Sequence, residues 1–128
     1  MTNIQNPKNK YDLEERTAKF GENIIAFAKK IPKNAITLPI INQLVKAGTS
    51  VGANYCEADD AESGKDFIHK IGISKKEARE SKHWLRMMVI AEPDLKINAG
   101  ILWQEAKELH LILNAISRKI KQKYNERN

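Results

Sequence analysis

The chain is poor in the residues from which the common alternatives are built. Aromatics make up only 6% of it, with six glycines and four prolines. That is thin for the turns and packed aromatic layers of an all-β sandwich or barrel. A single cysteine, Cys56, excludes an intrachain disulfide and most cysteine-based metal sites. Apolar runs are short: Met87 to Ala91 is among the longest, against the roughly 20 residues that a membrane helix needs. The opening Met-Thr-Asn-Ile-Gln-Asn-Pro-Lys lacks the apolar stretch of a secretory signal. What is present is ordinary for one folded domain: 128 residues, 41% apolar and 30% charged. Lys and Arg number 22 against 16 Asp and Glu, a net charge of +6. A cytoplasmic, basic, helical domain is expected, and composition names no function.

Periodicity supplies the architecture. Four segments space apolar or small residues alternately three and four apart. They are Leu13, Thr17, Phe20, Ile24, Phe27, Ile31; Ile41, Leu44, Gly48, Val51, Tyr55, Ala58; Phe67, Ile71, Ser74, Ala78, Ser81, Leu85, Met88; and Leu102, Ala106, Leu109, Leu113, Ile116, Ile120. Such a repeat keeps one stripe of a helix facing its neighbours, as bundles require. Punctuation agrees with the stripes. Asp12-Leu13-Glu14-Glu15 fits a capping box, Pro39 fits a first turn, and Pro32 and Pro93 fall where helices have ended. The reading is an all-α, antiparallel up-down-up-down four-helix bundle over 11–124, with helices near 12–31, 37–61, 64–91 and 98–124. Residues 1–10 and 125–128 read as tails. Small seam residues, Gly48 on the second helix and Ser74, Ala78 and Ser81 on the third, point to the second and third as the closest pair. The apolar surplus beyond the seams includes Ile25, Ile40, Val45, Ile68, Ile73, Trp84, Met87, Val89, Trp103, Leu111 and Ile112. Of these, Ile25, Met87 and Leu111 fall on outer positions. Exposed apolar groups of that kind mark association surfaces, so a homo-oligomer is expected, the alternative being a wide core stripe with scattered surface hydrophobes.

Positive charge is concentrated in two places. Residues 65–86 hold seven basic residues against three acids, and residues 118–128 hold five against one. On the third helix Lys75, Arg79, Lys82 and Arg86 line one flank, although like charges one turn apart repel by a few tenths of a kcal/mol. The functional reading is a phosphate-binding face for RNA or DNA, joined by Arg118, Lys119, Lys121 and Lys123. The competing reading is a solvated face, with terminal lysines favoured by the helix dipole. No zinc-finger spacing, RNP motif or short recognition helix is present. Binding would therefore follow backbone charge and shape rather than sequence. The acids Glu57, Asp59, Asp60 and Glu62 match no calcium loop, so no metal and no cofactor is expected.

Catalysis is not expected either. A di-iron bundle needs Glu-x-x-His on two helices with all ligands inward. Here the one such motif, Glu80 to His83, falls on the outer face, as does His69, and His110 flanks the fourth seam. Cys56 reads as a small, half-buried residue with no adjacent His. Gly48 and Gly52 lack the Lys-Ser/Thr of a P-loop.

Ser50-Val51-Gly52-Ala53-Asn54-Tyr55-Cys56-Glu57 resembles the S-(I/V)-x-x-N-I-x-E-G signature of a bacterial four-helix-bundle family. That family was first found encoded within intervening sequences of 23S rRNA genes and is often labelled S23 ribosomal protein. The resemblance continues through Ser63, Asp66-Phe67, Ile71, Ser74 and Glu77 and covers nearly the whole chain. It departs at Glu57-Ala58-Asp59, where the family has Glu-Gly, which leaves the end of the second helix open. The resemblance implies a homopentamer. It also implies similarity to the accessory variability proteins of diversity-generating retroelements, which bind a reverse transcriptase and its template RNA. Ser50, Asn54, Glu57, Ser74 and Glu77 are its signature positions. Asn54 and Glu77 are expected to fix the register of the second and third helices through hydrogen bonds. Two functions stay open: a non-catalytic oligomeric RNA-binding adaptor, or a protein-interaction scaffold.

Overall fold

The computed structural model describes the backbone of residues 12–127 and the side chains of residues 12–125. The proposed N-terminal tail lies outside the described residues. Four helices follow one another: α1 (Leu13–Lys29), α2 (Thr37–Asp59), α3 (Gly64–Ala91) and α4 (Lys96–Arg127). A short 3-10 turn, Pro93–Leu95, leads into α4. The connections are short, so successive helices run antiparallel.

Each start has a local cause. The Asp12 carboxylate accepts from the Glu15 backbone N–H at 3.3 Å, and the Ser63 hydroxyl accepts from the Asp66 N–H at 3.0 Å. The start of α2 is set by Asn34, whose Oδ1 accepts from the N–H groups of Ile36 and Thr37 at 2.9 and 3.0 Å. Thr37 completes the turn by donating its hydroxyl to the Pro32 carbonyl at 2.6 Å. At the other end of α2 the chain leaves through Asp60 at φ −104°, with no left-handed cap. Ala58, where the resembling family has glycine, is buried in the last turn instead. The fourth helix runs through Arg127, past the expected end at 124.

The stripes form the core. Every expected seam residue of α1 is buried, from Leu13 to Ile31, and so are Leu44, Val51, Ile71, Leu85, Leu109 and Leu113. Each large aliphatic among them contributes about 1.5–3 kcal/mol of burial. Tyr55, Phe67 and Ile116 pack partly buried against that core.

The extra apolar residues divide. Ile40, Val45, Trp84, Val89 and Ile112 pack on the core, while Ile25, Trp103 and Leu111 are exposed.

α2 and α3 form the most extensive helix pair, as expected, but Gly48 is not the reason. A Cβ on Gly48 would lie 2.8 Å from Ile24, and one on Gly52 would lie 3.2 Å from the Thr17 hydroxyl. Both glycines serve the approach of α1 to α2. The third helix contributes its buried Ser74, Ala78 and Ser81 to the core. The weakest pair is α1 with α4. An open groove of about 1440 Å³ runs between them, floored by Phe20 and Leu102.

Candidate nucleic-acid interface

The basic stripe of α3 sits one residue past its seam, on the flank that meets α4. Lys75 donates from Nζ to Asn114 Oδ1 of α4 at 3.3 Å. The Lys82 ammonium lies 5.4 Å from the ring centroid of Trp103, also on α4. Lys107, one turn further along α4, lies 5.8 Å from the same ring. Arg79 and Arg86 are exposed on this flank. Between the two helices is His110, whose pKa is lowered by burial and then by Lys82, Lys75 and Arg79. Burial and three stripe cations thus oppose the charged form of one imidazole.

Sequence reasoning missed Trp103, Lys107 and Asn114 as members of this face, and placed His110 only beside a seam. The signal was available: all four occupy the position after, or one turn from, an α4 seam residue, the flank that an antiparallel α3 must cover. Lacking was the register of α3 against α4, which the turn at Pro93–Leu95 sets.

The C-terminal cluster is divided between two flanks of α4. Arg118 and Lys121 lie eleven residues, about three turns, beyond Lys107 and His110. They continue the flank facing α3. Lys119 and Lys123 lie the same distance beyond Glu108 and Ile112, on the flank facing α1. All four are exposed.

The signature residues stitch α2 to α3, by partners other than those expected. Ser74 donates its hydroxyl to the Val51 carbonyl across the buried interface at 2.8 Å. Glu57 pairs with Lys70 at 2.6 Å, and this hydrogen bond raises the lysine pKa. Asn54, by contrast, donates to the Ser50 carbonyl of its own helix at 2.9 Å. The Glu77 carboxylate takes no hydrogen bond among the described residues, although its backbone carbonyl accepts from the Ser81 hydroxyl at 2.8 Å. Burial and the neighbouring Glu80 raise its pKa, against the opposing pull of Lys76 and Lys46. The contacts between α2 and α3 thus run through Ser74 and Glu57, while Asn54 bonds within its own helix.

The opposite flank of α4 is acidic and paired. Arg16 of α1 forks onto Glu105, with Nε and Nη2 each at 2.8 Å from a carboxylate oxygen, and reaches Glu108 at 2.8 Å. These bonds raise the already high arginine pKa, the bond to Glu105 foremost. That of Glu108 is lowered by its hydrogen bonds from Gln104 and Arg16.

Glu80, His83 and His69 are exposed. Cys56 is exposed too, not half-buried as expected: it stands one step off the seam, toward the open side of α2. No group of three or more His, Cys, Asp or Glu among the described residues is placed to hold a metal ion. No described helix is long and apolar enough to cross a membrane.

Residues 9–121 match the model of the 23S rRNA-intervening sequence protein family. The chain belongs to this family. A solved structure of a family member agrees: a protein of unknown function from the S23 ribosomal protein family of Bacteroides thetaiotaomicron VPI-5482. It is 27% identical, with a TM-score of 0.76 over 83% of this chain and 95% of that one. The chain matches none of the curated proteins.

Proposed function

We propose that this family member is a non-catalytic, homo-oligomeric RNA-binding protein of the cytoplasm. It holds structured RNA by its phosphates along the α3–α4 face, without reading sequence. The observation that supports this best is the row of Lys75, Arg79, Lys82 and Arg86 on the flank of α3 that meets α4, where Lys75 reaches Asn114 and Lys82 and Lys107 both lie within 6 Å of the Trp103 ring. Cations crowded together rather than paired call for an anion, and a polyphosphate backbone supplies a row of them. Self-association draws on the exposed Ile90, Ile97, Ile101 and Leu111, and a pentamer is the stoichiometry that the signature resemblance implies. The bound RNA, with or without a reverse transcriptase, would then be carried by the oligomer as by an adaptor.

The test is binding of the purified protein to labelled structured RNA and to duplex DNA, from low to physiological salt, with native mass measured on the same sample. Submicromolar RNA binding on an oligomer that weakens steeply with salt is expected. No binding at low salt would overturn the reading.

A second reading has its own support. The open groove between α1 and α4, apolar at its floor and rimmed by Glu15, Glu105 and Glu108, suits a partner protein. In that case the chain is an interaction scaffold, and its charge serves solubility.

A further inference from the structure

We infer that Trp103 is a stacking platform for an unpaired base of the bound RNA. This rests on the RNA-binding reading above and narrows it, from a phosphate backbone of any form to RNA with loops, bulges or single-stranded segments.

The two tryptophans are placed differently. Trp84, on the flank of α3 away from the basic face, packs against the core and meets His83 edge-on at 4.8 Å between ring centroids. Trp103 stands 37% exposed in the basic face itself. Two ammonium groups, of Lys82 and Lys107, lie within 6 Å of its ring. The ring is thus partly open to solvent and flanked by cations, where a base can reach it.

An exposed indole among cations suits a nucleotide. The ring takes the π-face of a base, and the lysines take the phosphates on either side of it. A duplex cannot use that arrangement, because its bases are stacked on one another and only phosphates and sugars face outward. Unpaired bases can be splayed onto an aromatic side chain.

The lysines over the ring do not block it. At an exposed site a lysine–indole contact is worth about threefold in an equilibrium. A stacked base is worth about tenfold or more. A base that displaces one of the two therefore gains, and the ammonium group it frees moves a short distance to a phosphate.

The experiment uses the full chain and two probes of equal nucleotide number, an RNA hairpin with a purine-rich loop and a blunt RNA duplex. In a Trp84→Phe background Trp103 is the sole tryptophan, and circular dichroism checks that each variant keeps its helices and melting temperature. The hairpin is expected to quench Trp103 fluorescence on binding. Trp103→Ala should weaken hairpin binding about tenfold and duplex binding less than twofold, while Trp103→Phe keeps most of the hairpin affinity. Equal losses on both probes, or none on either, would overturn the stacking role while leaving RNA binding in place. Failure of the unaltered protein to bind either probe at low salt would instead overturn the RNA reading itself.

Discussion

α4 has two flanks that treat charge in opposite ways. Toward α1, Glu105 and Glu108 meet a single guanidinium, and each group's pKa that shifts does so in the direction that strengthens the pair. Toward α3, Lys107 and His110 face Lys75, Arg79 and Lys82, and the histidine is pushed away from its charged form. On the first flank both carboxylates meet their cation within one chain. On the second, cations face one another with no carboxylate paired to them among the described residues, and they repel. The number of ionisable residues does not distinguish them, since both flanks carry several. The difference lies in whether opposite charges fall on facing helices.

This contrast is easiest to break at the basic flank. Replacing Lys75, Arg79, Lys82 and Arg86 together with alanine should weaken RNA binding by about 100-fold or more at low salt, and flatten the slope of log affinity against log salt by about three, from the loss of about four phosphate contacts. Native mass should not change. An unchanged slope would mean that the anion sits elsewhere.

The next effect tests the frame that holds both flanks apart. Gly48→Val forces a branched side chain into Ile24, where even a Cβ would lie at 2.8 Å. It should lower stability by about 1–3 kcal/mol in urea unfolding, and more than Gly72→Val, since a Cβ on Gly72 would meet nothing within 4 Å. Equal losses would show that α1 can shift off α2 freely.

Removing one cation from each flank should then give results of different sign. Arg16→Ala leaves two carboxylates facing an empty place and should cost about 1 kcal/mol, the fork being partly exposed and screened. Arg79→Ala relieves repulsion and should leave stability unchanged or raise it by a few tenths of a kcal/mol. For RNA binding the ranking reverses: Arg79→Ala weakens it and Arg16→Ala does not. Equal stability losses from the two would end the distinction between a paired and an unpaired flank.

The seams were legible because burial follows a period that sequence displays directly. Thr17, Ser74 and Ser81 were found as core positions despite their hydroxyls, since the stripe demanded them and each hydroxyl reaches a carbonyl. What the period cannot say is which neighbour a seam residue touches. Gly48 therefore went to the wrong helix pair, and Asn54 was given a partner across the interface when its own Ser50 carbonyl was nearer. Half of the basic face was legible as a stripe on α3. The other half depended on how far α4 slides against α3, and a run of charges along a single helix contains no information about that.

The smallest effect expected on the basic flank is also the most specific to its interior. In the free protein His110 titrates below the ordinary histidine value, because burial and then Lys82, Lys75 and Arg79 oppose its charged form. The folded state thus binds that proton less tightly than the unfolded chain, so this group takes stability away as pH falls below the ordinary histidine range. A bound phosphate reverses the local field and raises the same pKa. RNA binding should therefore take up a proton and strengthen severalfold between about pH 7.5 and 5.5. His110→Gln should remove that share of the pH dependence while leaving affinity at pH 7.5 within about twofold. His69 and His83, exposed on other faces, serve as controls whose replacement should change nothing. If the pH dependence survived His110→Gln, the anion would lie away from His110, elsewhere along the basic stripe.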